Sequence, residues 1–308
     1  MTTTTPPVTT TPGRTVAVTA SAAKKRLTSP WASLIAIVIA VVWTLPTFGL
    51  LVTSFRQQLD IQRTGWWEVF TNPFGQAWTL DNYSTALSTS TGGGQTIFDN
   101  FVNSFVITIP GVIIPTTLAA LAAYAFAWID FRGRDFLFVT VFALQIVPIQ
   151  VTMIPLLSLY TDAGLAGTFW TIWLSHTIFG LPLAVFLLHN FISEVPRELI
   201  EAARVDGAGH VRVFFSVMMP LLRPALAAFG IFQFLWVWND LLVALVFGTG
   251  APQTNPLTVA LANLSGTRGN AWFLLAPGAF IAIVVPLVVF LSLQRYFVRG
   301  LLAGSVKG

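Results

Sequence analysis

The sequence predicts an all-α, polytopic membrane protein with six transmembrane helices. Three observations predict it. The 308 residues are 55% hydrophobic and only 9% charged, whereas soluble domains run near a quarter charged. Apolar runs free of acidic and basic residues, Asp240 excepted, occur at about 31–55, 101–129, 136–160, 169–191, 224–247 and 271–293, each longer than the roughly 20 residues that cross about 30 Å of hydrocarbon as a helix. The basic residues are also partitioned. With the N-terminus inside, 13 of the 16 fall on cytoplasmic segments, and only Arg56, Arg63 and Arg268 remain outside. Under the positive-inside rule this sets both termini in the cytoplasm.

Composition also excludes. With no cysteine there is no disulfide, Cys-zinc site or thiol nucleophile. The net charge of +4 comes from short basic runs beside apolar segments, which orient a membrane protein and give no reason to expect a nucleic-acid partner. No GxxxxGK[ST] occurs, and the only lysines are Lys24, Lys25 and Lys307, so the chain carries no phosphate-binding loop of its own. No catalytic residue and no metal site is expected.

Taken in order, residues 1–29 are rich in Thr, Pro and Ala without an apolar period, and they predict a disordered cytoplasmic tail. The apolar stretch behind Lys24, Lys25 and Arg26 is too long for a signal-peptide core and lacks a cleavage site after it, so 30–55 is read as a retained first helix. An extracytoplasmic loop follows at 56–100. It carries Trp66, Trp67, Phe70, Phe74 and Trp78, which either sit in the interfacial belt or touch an external partner. The later spans contain Pro110, Pro115, Pro148, Pro155, Pro182, Pro277 and Pro286. A bundle tolerates these because neighbouring helices satisfy the freed carbonyls, and the kinks often mark a pathway.

The inner loop, about 193–223, is the most strongly patterned part. Pro196 suits a helix start, Arg197–Val205 is made of helix formers, and Gly207 offers a left-handed stop. A second helix is expected from near Gly209, with Val211, Phe214, Phe215 and Met218 forming an apolar stripe up to Pro220. That describes a short helix, a glycine turn and an amphipathic helix on the membrane surface. On spacing alone, the charges equally suit a solvated connector with Arg197–Glu201 and Glu201–Arg204 pairs.

In the fifth span, Gln233 lies roughly 13 Å in and Asn239 with Asp240 about 23 Å in, at 1.5 Å per residue. With Trp236 and Trp238 they are candidates for a substrate path, against the plainer reading that they bond across helices or sit at the interface. His176 and His189 read as packing residues and His210 as part of the loop surface. Asp240 is the only acid well inside a span, which gives little support to a proton-coupled secondary transporter or an intramembrane enzyme.

The run EAARVDGAG at 201–209, followed by Pro220 and Pro224, resembles the EAA loop of binding-protein-dependent ABC importer permeases of the carbohydrate type. The matching residues are Glu201, Ala202, Ala203, Asp206, Gly207, Ala208, Gly209 and Pro220. Asp81-Asn82-Tyr83, WVWNDLLVALVF and the closing QRYFVRGLLAGSVKG are similar to the maltose-type, MalG-like branch. The resemblance implies a type I ABC importer transmembrane fold, with a core at about 100–294 and a C-terminal tail at 295–308. It further implies a sugar-import permease that forms half of a pore in the cell inner membrane. Its partners would be an ABC ATPase dimer holding ATP and Mg, a second homologous permease and an extracytoplasmic sugar-binding protein. Glu201 would face a basic group on the ATPase, Ala202 and Ala203 would allow close approach, and Gly207 would permit the turn.

Overall fold

The computed structural model describes residues 30–248, 250–265 and 271–303, with side chains through Gln294. The predicted tail at 1–29, with its basic residues, and Arg268 and Lys307 lie outside the described residues.

Helix α1 (Pro30–Ser54) is apolar on every side and is almost entirely exposed until its last two turns. The chain then builds a small polar unit from α2 (Gln58–Arg63), α3 (Glu68–Thr71), α4 (Asp81–Ser88) and a hairpin pairing Ser90–Gly92 with Gln95–Thr96. Arg56, 1% exposed, organises this unit. Its guanidinium donates to Gln76 Oε1 (2.9 Å), to the carbonyls of Thr64 (3.2 Å) and Asp60 (3.3 Å), and to the Thr64 hydroxyl. A buried cation must be ringed by acceptors, and the turn after α2 supplies them.

Helix α5 (Ile97–Trp128) starts with a capping box: Thr96 Oγ1 accepts from the Asp99 amide and the Asp99 carboxylate from the Thr96 amide. Its small residues Ala119, Ala120 and Ala123 pack against Ala184, Val185 and Leu188 of α8 (Phe169–Ser193). Close approach of small side chains is the usual source of helix association in lipid, where the hydrophobic effect gives no drive. Helix α11 (Met219–Trp238) packs on both, and α14 (Trp272–Ala303) packs on α11 and links back to α1 and α4.

The apolar run expected as one span at 136–160 is two helices. Helix α6 (Arg134–Ala143) and a 3-10 turn (Leu144–Ile146) meet α7 (Ile149–Asp162) at 104°. Pro148 explains the corner. Its ring drives Val147 out of the helical region (φ −71°, ψ 120°), and it has no N–H to continue the ladder. Among the described residues, five helices are thus long and apolar enough to cross a membrane, six when the bent pair is taken as one span.

Two further boundaries differ from expectation. The second half of the inner loop is not a separate surface helix: α10 (His210–Val213) runs through a π-helical turn (Phe214–Met218) into α11, giving 29 continuous residues. The π turn sits just before Pro220, where a widened ladder relieves the carbonyl that the ring would otherwise strike. At the far end the helix stops at Trp238 instead of near 247, and α12 (Leu242–Phe247) restarts after a break. Helix α13 (Leu257–Ser265) packs against α14 and α5. The predicted tail from 295 continues α14 as helix to Ala303.

Candidate docking loop and elbow cavity

Helix α9 (Arg197–Val205) is short, and its ends are closed by local chemistry. Pro196 is the residue before the first turn, extended at φ −56° and ψ 134°. At the other end the Gly207 N–H donates to the Arg204 carbonyl (2.9 Å) and the Ala208 N–H to the Ala203 carbonyl (3.0 Å). This is a Schellman closure around Gly207, whose φ of +80° is left-handed. Ala203 and Ala208 are turned inward, both against the cluster of Tyr124, Ile192, Ile200, Val213, Phe214 and Met218. Ile200, 2% exposed, is the anchor that fastens α9 to the helix bundle.

The remaining signature positions face outward. Glu201, Ala202, Asp206, Gly207, Gly209 and Pro220 are exposed. Among the described residues, neither Arg197–Glu201 nor Glu201–Arg204 forms an ion pair within 4.0 Å, whereas Arg134 pairs with Asp130 and Asp135; His176 Nε2 lies 3.7 Å from the Asp240 carboxylate. Half of the expected apolar stripe also points away from the bundle. Phe214 and Met218 are buried, but Val211 (73%) and Phe215 (61%) are exposed beside Val205 (88%) and Leu199. The π turn rotates the helix, so that Val213 and Leu222 take the inward places. His210 bridges the loop to the bundle, with Nδ1 3.1 Å from the Tyr124 hydroxyl and Nε2 3.4 Å from Arg204 Nη2. The arrangement is a rigid, outward-facing plate of mixed carboxylate and apolar character.

The second feature is a cavity of about 890 Å³ in the elbow between α6 and α7, walled on the other side by α8 and α11. Its polar lining is Gln145, Gln150, Thr152 and Gln233, with Trp236 and apolar side chains completing it. Non-helical backbone in hydrocarbon is tolerated only against protein or a water-filled space, so the corner at 144–149 belongs to such an environment. Among the described residues no cluster of three metal-ligating side chains occurs.

Of the fifth-span candidates, Gln233 and Trp236 meet at this cavity, whereas Asn239 and Asp240 are not in its lining. Gln233 is fully buried but belongs to the lining of the cavity, and its Nε2 donates to the Gly111 carbonyl (3.1 Å). Trp236 is half-buried and meets His176 edge to face, with ring centroids 5.4 Å apart. Asn239 is exposed, and its amide turns back to the Leu235 carbonyl (2.7 Å). Asp240 lies in the break, where its carboxylate accepts from the Ala244 amide (3.1 Å) and so caps α12. Trp238 is buried among Phe101, Phe105 and Phe234 and donates to the Ala282 carbonyl (3.0 Å). His176 is 1% exposed and hydrogen-bonds the Ile172 carbonyl through Nδ1 (2.9 Å).

Gln145 and Gln150 had not been singled out from the sequence. Both flank Pro148 in an otherwise apolar run, and paired amides around a membrane proline are the signal that marks them.

Comparison with known proteins gives a consistent family. The model of the binding-protein-dependent transport system inner membrane component matches residues 115–302. The chain is 52% identical over 270 residues to the osmoprotective compounds uptake permease protein GgtD of Synechocystis sp., covering 87% of this chain and 89% of that one. It is 51% identical over 244 residues to the alpha-glucoside transport system permease protein AglG of Rhizobium meliloti, covering 78% of this chain and 63% of that longer one. The melibiose/raffinose/stachyose import permease protein MelC of Bacillus subtilis is 33% identical over 90% of the chain and 96% of its own length. Among solved structures, a bacterial ABC transporter involved in alginate import superposes with a TM-score of 0.71 at 18% identity, over 94% of this chain and 100% of that one.

Proposed function

The chain belongs to the binding-protein-dependent transport system inner membrane components, the permease subunits of ABC importers, and from that premise we propose that its cargo is a sugar and that the loop at 193–223 is the seat of a separate ATPase. It is a multi-pass inner-membrane protein with the type I importer fold. The relatives named for alpha-glucosides and for melibiose, raffinose and stachyose support a carbohydrate cargo, and alpha-glucosides are the first class to test.

The observation that carries the coupling role is the Schellman-closed α9. It holds Glu201, Ala202 and Asp206 outward and flanks them with exposed Leu199, Val205, Val211 and Phe215. A cleft on an ATPase subunit would cover the apolar rim and pair Glu201 with a basic group, while Ala202 keeps the approach close. Because Ile200 and the inward pair Ala203 and Ala208 fix the plate to the bundle, closure of an ATPase dimer on ATP and Mg would move the spans as a rigid unit. This reading puts both termini and the loop in the cytoplasm, as the basic residues require.

The sugar path follows the elbow cavity. Gln145 and Gln150 supply hydrogen bonds there, and Trp236 presents part of an aromatic face. Gln233 braces the wall, and Asp240 is spent on capping α12. A second, homologous permease closes the open side, and an extracytoplasmic binding protein delivers the sugar; a solved alginate transporter in complex with its oligosaccharide-bound periplasmic protein (TM-score 0.59, 16% identity) is one such assembly among fold neighbours.

The test is reconstitution. The chain is co-expressed with its partner permease and ATPase, and ATP hydrolysis is measured with and without alpha-glucoside-loaded binding protein. Stimulation that is lost in Glu201→Lys, with the complex still assembled, is the expected result. A chain that purifies alone and moves sugar without ATP would overturn the reading.

A further inference from the structure

The outer unit folds back beside the helix it follows. Gly49 of α1 is buried under Trp66: a Cβ there would lie 2.7 Å from the indole Nε1 and Cε2. Phe48 meets Trp66 edge to face at 6.0 Å and stacks on Phe70 at 6.2 Å. Phe48 and Gly49 lie about 8 Å short of the end of α1 at Ser54, at 1.5 Å per residue. Trp66 and Phe70 therefore hang at the depth of the last turns of the span, not beyond them.

Its outer surface is apolar and uncovered. Trp67 is 60% exposed, Phe70 67% and Phe74 100%. This surface continues the lipid-facing flank of α1, where Ile35, Val38, Val42 and Trp43 are also exposed. Trp31 at the start of α1 and Phe48 are seventeen residues apart, roughly 26 Å along the axis, close to the hydrocarbon thickness of about 30 Å. The two aromatic positions thus fall at opposite interfaces. Arg56 and its acceptors lie inside the unit and Glu68 is half-buried within α3, while Gln57, Thr71 and Asn72 are exposed.

We propose that α3 and the turn after it, residues 66–74, form an aromatic shelf immersed in the outer-leaflet interface, so that the lipid surface and not a protein partner covers Trp67, Phe70 and Phe74. The shelf fixes the height of the outer unit against the bilayer through the Gly49–Trp66 contact. Continuity with the lipid-facing side of α1 argues for lipid over a docking protein. The depth argues the same way, because a soluble partner reaching Phe70 would have to enter below the end of the span. Amphipathic indoles beside phenylalanines at this level have the composition of interfacial belts.

The chain contains no cysteine, so single-cysteine variants need no background changes. The full chain is placed in phosphatidylcholine/phosphatidylglycerol nanodiscs, with a nitroxide at Phe74→Cys, Phe70→Cys or Trp67→Cys. Power saturation then compares collision with oxygen and with a water-soluble nickel chelate. Val38→Cys and Gln57→Cys serve as lipid and water references. The expected result is an oxygen-to-nickel ratio at 70 and 74 above that at 57 and approaching that at 38. Phe74 touches nothing that a cysteine would disturb, so its variant keeps the test valid if the change at Trp67 unfolds the unit. A ratio at 74 equal to that at 57 would overturn the proposal. So would a label at 74 that becomes shielded from both reagents when the binding protein is added, since that outcome makes the shelf a protein dock.

Discussion

The amide of Ala208 donates to the carbonyl of Ala203 across 3.0 Å, and both methyl groups point into the bundle beneath α9. Six residues of backbone are thereby locked into one shape, and Gly207 is the residue that allows it. At φ +80° and with nothing within 4 Å of a would-be Cβ, the demand on Gly207 is purely conformational. A β-branched residue there costs about 1–2 kcal/mol from left-handed strain alone. Gly207→Val is therefore expected to lower binding-protein-stimulated ATP hydrolysis severalfold while leaving membrane abundance near normal. Gly207→Asn, which tolerates the left-handed region, should keep most of it. Equal loss in both variants would mean that the side chain is sterically excluded by a partner, and that backbone freedom is not the cause.

The anchor of the plate is a separate matter from its outer face. Ile200 is 2% exposed within the cluster of Tyr124, Val213, Phe214 and Met218, whereas its neighbour Leu199 is 46% exposed. Ile200→Ala removes three carbons from a packed site and is expected to cost about 2–5 kcal/mol of local packing. A thermal shift measured on the purified chain should fall clearly for Ile200→Ala and stay within error for Leu199→Ala. If Leu199→Ala instead reduces capture of the ATPase at unchanged thermal stability, the outward role of that residue is supported directly.

The legible parts of this protein in its sequence were those written in composition and local turn chemistry. Apolar run length located the spans, Pro196 and Gly207 bounded α9, and the basic residues suggested its side. The departures share a cause. Pro148 and Pro220 lie in runs of uniform hydropathy, where nothing distinguishes a gentle kink from a 104° corner or a π turn. The outcome depends on which neighbour satisfies the freed carbonyl, and that is tertiary information. For Asp240, whose charge within an apolar run made it a path candidate, the break after Trp238 adds a contact that hydropathy does not show: its carboxylate accepts from the Ala244 amide.

The outer unit yields a prediction about a motif that had no assigned role. Asn82 Nδ2 donates to the carbonyls of Ser54 (3.1 Å) and Arg56 (2.7 Å), and the Tyr83 hydroxyl lies 2.8 Å from Ser54 Oγ. Asp81-Asn82-Tyr83 thus closes the end of α1, where the carbonyls have no helical partner. Asn82→Ala should destabilise the junction by about 1–3 kcal/mol, the cost of leaving a buried acceptor unpaired. Asn82→Asp should be worse, because it sets a carboxylate against two carbonyls. Proteolysis between Arg56 and Thr79 in intact membranes reads this directly, with cleavage fastest in Asn82→Asp and slowest in the parent. The reverse order would mean that the two carbonyls find other donors.

The last prediction concerns the wall of the elbow cavity, which Gly180 and Gln233 help to line. Gln233 is fully buried, and a Cβ added at Gly180 would come within 2.8 Å of both its Nε2 and its Oε1. The amide cannot swing aside freely, because Nε2 is held by the Gly111 carbonyl at 3.1 Å and the three helices meet around it. Gly180→Ala is thus overpacked and should cost about 1–3 kcal/mol. Gln233→Ala relieves the crowding but loses the cross-helix bond, for a similar cost of about 1–3 kcal/mol. Because each change acts on the space or partner of the other, the double variant should be less destabilised than the sum, by a coupling of about 0.5–3 kcal/mol. Midpoints of thermal unfolding for the parent, both single variants and the double variant close the cycle. Strict additivity would show that the Gln233 amide is free to leave Gly180, and that α5, α8 and α11 are not locked together by this side chain.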